Sequence, residues 1–188
     1  MMRSFPCAAA ALLATGWCWA MPVQAEVLHA ARDGFEISVT TIAAATPELA
    51  WDTLVSPALW WDGVHSWSGD SRDLSLDPRA GGCFCERLPP KGDEQAGSVE
   101  HGRVIFVRPP HMLRLASALG PLQAEAVSGV LTFTIAPGEA GHSKLTLHYV
   151  VGGYFRSDAT ALAPVVDSVL GAQVARWRAA VERRSSGK

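Results

Sequence analysis

Three side chains in this sequence could carry acid–base chemistry: Glu86, Glu100 and Tyr149. Glu86 alternates with Phe84 and Leu88, and Glu100 shares its parity with Val104 and Phe106. In regular strands that spacing sends both carboxylates to the apolar face. Two carboxyls turned into one apolar space can share a proton or divide into an acid and a base. The competing arrangement is an ion pair at a strand end with Arg87, Arg103 or Arg114. Tyr149 lies on the apolar face of its strand, where its hydroxyl needs a partner such as a ligand or a buried water.

The other reactive residue types point to less. Cys83 and Cys85 form a C-x-C, and in a regular strand their Cα atoms stand about 6.6 Å apart with near-parallel side chains. That geometry strains a bridge, and a two-thiolate metal site needs further ligands. No His-x-His or second C-x-C supplies them, so two reduced packing cysteines are expected. His65, His101, His111 and His148 fall on separate elements without metal-site spacing. There is no phosphate-binding glycine loop, Gly-x-Ser-x-Gly elbow or His-Glu-x-x-His. Neither a metal nor a cofactor is expected. A formal net charge of −2 gives no reason to invoke nucleic acid or an anionic membrane surface.

The elements that must position these residues end in a long helix, from about Asp158 to Arg184. Leu162, Val166, Val169, Leu170, Val174, Trp177 and Val181 recur every three or four residues and share one face. Asp167, Gln173, Arg176, Glu182 and Arg183 occupy the other, which suits solvent. Pro164 is expected within the first turn. Such a helix, closing a strand-rich chain, needs a curved sheet to lie in.

Upstream, Arg3, the uncharged run Cys7–Ala20 and Val23-Gln24-Ala25 have the form of a cleaved export signal. Residues 1–25 are therefore read as a signal peptide and residues 26–188 as one domain, periplasmic or secreted after cleavage near Ala25. The run is shorter than a membrane span needs, so the mature chain is not expected to insert stably in a bilayer. Glu26–Arg32 reads as a strand or ordered arm, and Phe35, Ile37 and Val39 as the apolar side of a strand. Thr46-Pro47-Glu48 and Ser56-Pro57 each start a short helix, the second holding Leu59, Trp60 and Trp61. Strands follow at 74–76, 83–88, 98–108, 111–117, 127–136 and 142–151, with Gly152-Gly153 ending the last. Pairing Ala136 with His142 sets Phe133 opposite Leu145 and Leu131 opposite Leu147.

Taken in order, these pieces resemble the START-like, polyketide cyclase-like (SRPBCC) superfamily of helix-grip proteins, in the branch that includes homologues of the heat-shock-protein ATPase activator. The matching stretches are Ala44–Glu48 through Trp51, Ser56-Pro57 with Trp60-Trp61, Asp77–Gly82, Glu100–Val104 running to Pro109-Pro110, Leu113–Leu115 and Leu145–Leu147. The resemblance implies an α+β fold, with a bent antiparallel sheet of six or seven strands gripping the long C-terminal helix. It also implies a sheet–helix cavity for a hydrophobic or amphipathic small molecule. The cavity is expected to be lined by Trp60, Trp61, Trp67, Phe84, Phe106, Leu131, Phe133, Leu147, Tyr149 and Leu170. No catalytic motif runs through the superfamily, so no active-site residue carries over. Ligand binding is the first expectation. An enzyme of the cyclase, dehydratase or hydrolase kind using Glu86, Glu100 and Tyr149 is the second, and an interaction module whose cavity is filled by its own side chains is the third.

Overall fold

The computed structural model describes residues 23–187. Residues 1–22, and with them most of the expected export segment, lie outside the described residues. The elements run β1 (Gln24–Ala31), β2 (Gly34–Ala43), α1 (Pro47–Leu54), β3 (Leu74–Leu76), β4 (Cys83–Leu88), β5 (Gly97–Arg108), β6 (Met112–Ala116), β7 (Ala126–Pro137), β8 (Ser143–Tyr154) and α2 (Ala159–Ser185). Short 3₁₀ turns at Pro57–Leu59, Gly63–His65 and Gly120–Ala124 join them. The eight strands form one antiparallel sheet in the order β1-β2-β8-β7-β6-β5-β4-β3. This is the expected α+β helix-grip arrangement, with one strand more than expected because the segment before Asp33 pairs with β2, across an irregularity at Leu28.

Local chemistry explains the helix starts. The Thr46 hydroxyl caps α1 from the Leu49 N–H, with Pro47 in the first position. The Asp158 carboxylate accepts the Thr160 N–H at 2.9 Å and caps α2. Pro164 falls in the second turn of α2, later than expected, so the Thr160 carbonyl lacks its usual helical donor. The second start signal, Ser56-Pro57, makes a single 3₁₀ turn, and Trp60 and Trp61 follow it.

The core lies between the sheet's concave face and α2, which packs against β1, β2 and α1. Phe35, Ile37 and Val39 from β2 and Leu145, Leu147 and Tyr149 from β8 meet Leu170, Val174, Trp177 and Val181, all of them buried. The β7–β8 register differs from expectation by two residues: Phe133 pairs with Leu147, and Leu131 with Tyr149. The loop closes around 138–142, where the Gly138 N–H bonds to the His142 carbonyl, one position later than the polar run suggests. A slip of two preserves which side chains face the core. β8 continues through Gly152-Gly153 to Tyr154, with Gly153 at φ 142°, a backbone setting open to glycine.

Two more expectations are overturned. Cys83 and Cys85 form a disulfide, with Cα atoms 5.3 Å apart. The expected thiols rested on the span of a regular strand, but the β4–β5 pairing is irregular between Phe84 and Cys85, and the distance falls within bridging range. Gln173, placed among the solvent-facing residues, is buried, and its Oε1 accepts the Asp62 N–H at 2.9 Å. It ties the loop after Trp61 to α2.

Candidate functional site

The site begins with two bulges in β5. Phe84 pairs with Gly102 and Cys85 with Glu100, which leaves His101 as an extra residue; Ile105 is extra in the same way against β6. A bulge re-aims the side chains beside it. The first turns His101 inward and Glu100 outward, where Glu100 pairs with the exposed Arg103. The second keeps Val104 in the core and sends Phe106 out, 42 % exposed, with the Arg114 guanidinium 5.8 Å from its ring centroid. Neither Glu100 nor Phe106 therefore lines the interior, as strict alternation had suggested.

Glu86 does face inward and is 1 % exposed. Its Oε2 lies 2.8 Å from His101 Nε2 and accepts the Trp67 N–H at 3.1 Å, and its Oε1 accepts the Ser68 N–H at 2.5 Å. Burial pushes the carboxyl pKa up, but hydrogen bonds from Ser68, the Trp67 amide and the His101 ring outweigh it and hold the value below the ordinary one. Glu86 is thus an ionised carboxylate at neutral pH, backing a buried imidazole. Being acceptor-only, it requires the proton on Nε2 of His101. The ring is fixed from its other side by Phe84, at a centroid distance of 5.0 Å. Trp61 continues this chain of rings 5.5 Å from Phe84, and Trp60 lies 5.4 Å beyond it. Each indole N–H is satisfied by a backbone carbonyl, Trp60 by Leu54 and Trp61 by His65.

The cleft next to this pair is walled by three segments. The 64–67 stretch contributes Val64, His65 and Trp67, the 119–121 turn contributes Leu119 and Pro121, and α2 contributes Val165, Val166, Val169 and Leu170. Trp61 and His101 complete it, and its volume is roughly 330 Å³. Trp67 is 58 % and Val165 59 % exposed, so the mouth is apolar and open. Deeper in, between sheet and helix, Trp60, Trp61, Phe84, Leu113, Leu115 and Phe133 surround a void of roughly 20 Å³. That is close to the least space that one water needs.

The expected cavity residues therefore separate. Trp61, Trp67 and Leu170 line the open cleft. Trp60, Phe84, Leu131, Phe133, Leu147 and Tyr149 are packed into the core. The Tyr149 hydroxyl accepts the Leu119 N–H and donates to the Ser117 carbonyl, both at 3.1 Å, and burial pushes its pKa up to about 12. It acts as a strut, and its partner is the backbone instead of a ligand. Gly129 makes room for it: a Cβ there would stand 2.3 Å from the Ser117 carbonyl oxygen and 2.8 Å from the tyrosine ring. His101 was visible only as one of several scattered histidines, and a β-bulge leaves no mark in hydrophobic alternation.

No protein-family model and no curated protein matches the sequence. Solved structures do share the fold. A Staphylococcus aureus protein of unknown function aligns with a TM-score of 0.58 at 12 % identity, over 82 % of this chain and 97 % of that one. A Mycobacterium smegmatis protein aligns with a TM-score of 0.53 at 19 % identity, over 88 % and 99 %. A Rhodobacter sphaeroides protein aligns with a TM-score of 0.52 at 18 % identity, over 88 % and 100 %. At such identities the likeness is one of fold alone, so the chain is similar to these proteins in architecture, and its chemistry must be read from its own cleft.

Proposed function

We propose that this chain is an exported START-like domain that binds a hydrophobic or amphipathic small molecule, and that the ligand occupies the cleft between residues 64–67, the 119–121 turn and α2. The cleft itself carries this reading. Its volume of roughly 330 Å³ falls within the usual range of small-molecule sites, its walls are mostly apolar, and one buried imidazole borders it. The superfamily resemblance supports the ligand class, though the site lies at the cleft instead of in the packed sheet–helix interior. The Cys83–Cys85 disulfide fits an oxidising compartment and so supports export. No helix among the described residues is long and apolar enough to cross a membrane. Native mass spectrometry of protein purified from the periplasm tests the proposal. A retained small molecule is expected as added mass, lost on organic extraction and absent in Val169→Trp. Added mass that persists in Val169→Trp would place the ligand elsewhere.

A second reading, a hydrolase- or cyclase-type enzyme, draws on the Glu86–His101 pair, because a carboxylate-backed imidazole has the form of a general base. It requires turnover that disappears in His101→Phe. Slow hydrolysis of a p-nitrophenyl acyl ester, equal in parent and variant, would rule it out for that substrate class.

A further inference from the structure

We infer that the Cys83–Cys85 bridge is an exchangeable disulfide, open to a small dithiol in the folded protein, and that its redox state sets ligand affinity at the cleft. The second half rests on the cleft being the binding site. The bridge joins no two elements, because both cysteines belong to β4, two residues apart. A loop this short limits the unfolded chain little, so the bridge is a weak staple by the loop-closure account. β4 is held independently of it, by its ladders to β3 and β5. Cys83 and Cys85 are half-buried and alternate with the buried Phe84 and Glu86, so they lie on the outward face. Disulfides within reach of solvent are the labile ones. On β5, Arg103 and Glu100 stand opposite Cys83 and Cys85 and pair with each other. A guanidinium on the neighbouring strand favours the thiolate that exchange releases.

The residue enclosed by the bridge ties it to the cleft. Phe84 places its ring 5.0 Å from that of His101 and 5.5 Å from that of Trp61, and both of these border the cleft. In a regular strand the two cysteine Cα atoms would stand about 6.6 Å apart, and here they are 5.3 Å apart, so the bridge shortens β4 around Phe84. The bulge that turns His101 inward lies directly across, between the Phe84–Gly102 and Cys85–Glu100 pairs. Bridge, bulge and cleft rings are therefore one local structure. Opening the bridge lets β4 lengthen toward regular spacing, and Phe84 loses its fixed place against His101 and Trp61. A wall that is no longer preorganised binds more weakly.

The exchange balances with a dithiol as reductant. One thiolate of the reagent attacks a cysteine sulfur, the S–S bond breaks, and a mixed disulfide forms. The other cysteine leaves as a thiolate and takes up a proton. The reagent's second thiol, deprotonated, then displaces the first cysteine and closes the reagent into a cyclic disulfide. Two electrons pass to the protein, and two protons end on Cys83 and Cys85.

The test applies dithiothreitol to the folded mature protein. Iodoacetamide and intact mass count the thiols, and binding of N-phenylnaphthylamine is measured in both redox states. Two thiols should appear without denaturant, with cooperative unfolding retained, and probe affinity should fall at least about fivefold. Reoxidation should restore it, and Cys83→Ser combined with Cys85→Ser should bind as the reduced parent does. By linkage, bound probe should shift the thiol–disulfide equilibrium toward the bridge by the same factor. A bridge that opens only in denaturant overturns the inference, as does unfolding on reduction. Equal affinity in the two states overturns it and leaves the cleft standing. If the oxidised parent binds no probe, the cleft proposal fails and the coupling falls with it. Should the double variant not fold, the two states of the parent decide.

Discussion

His101 Nε2 and Glu86 Oε2 lie 2.8 Å apart, on neighbouring strands, with side chains 5 % and 0 % exposed. The contact exists because β5 carries one residue more than β4 between Phe84 and Cys85, which turns His101 inward within reach of Glu86. The same carboxylate closes the 66–68 stretch through the Trp67 and Ser68 amides, so one side chain both orients the imidazole and shapes the cleft rim.

Glu86→Gln should therefore be destabilising at neutral pH. It exchanges charge-assisted acceptance for a neutral amide, and the loss should be about 2 kcal/mol. The sign with pH follows from the lowered pKa. A carboxyl held below its ordinary value of 4.5 contributes stability that is present above that value and is lost as pH falls through the folded value. Denaturant unfolding across this window should show parent and Glu86→Gln converging in acid. A gap that widens on acidification would contradict the assignment.

Asp167 behaves in the opposite direction. Burial, and then the Glu26 carboxylate, raise its pKa, and its Oδ1 has no hydrogen-bond partner among the described residues. An acid with a raised folded pKa subtracts stability above that value, and the penalty fades as pH falls to the ordinary 3.8. Asp167→Asn should thus unfold at higher denaturant concentration than the parent at neutral pH, with the advantage shrinking in acid. A loss of stability at neutral pH would show that the carboxylate has a compensating role.

Trp177 is fully buried and Leu170 is buried along the cleft wall. Trp177→Ala should cost about 3–5 kcal/mol, whereas Leu170→Ala, which opens onto existing space, should cost nearer to about 2 kcal/mol. Equal losses in chemical unfolding would mean that the cleft is closed in solution.

The Cys83–Cys85 disulfide makes a simple count. Alkylation of the denatured mature protein should modify no cysteine without reductant and two after reduction. Two modified cysteines before reduction would show free thiols.

Much of this architecture was legible in the sequence. The three-and-four spacing from Leu162 to Val181 marks α2, Thr46-Pro47 marks the start of α1, and alternation in β2, β7 and β8 marks the core face correctly even where the pairing slips by two. The misassigned positions follow from local breaks in periodicity. The bulges at His101 and Ile105 reverse the facing of Glu100 and Phe106, and no composition signal precedes them. Gln173 lies off the apolar stripe, yet it is buried because the loop at Asp62 folds over it. The cleft was legible only through Trp61, Trp67 and Leu170, because its other walls come from turns that are distant in sequence and from the half-exposed side of α2.

The proposed ligand site is the open space beside His101, and not the sheet–helix interior. Val169→Trp puts a large ring into that space while leaving the buried stripe of Leu170, Val174 and Trp177 intact. Equilibrium binding of a fluorescent apolar probe to parent and Val169→Trp, with unfolding curves to establish that both are folded, tests the claim directly. Saturable binding to the parent is expected, with at least about a tenfold loss in the variant. Undiminished binding to a folded Val169→Trp would contradict it.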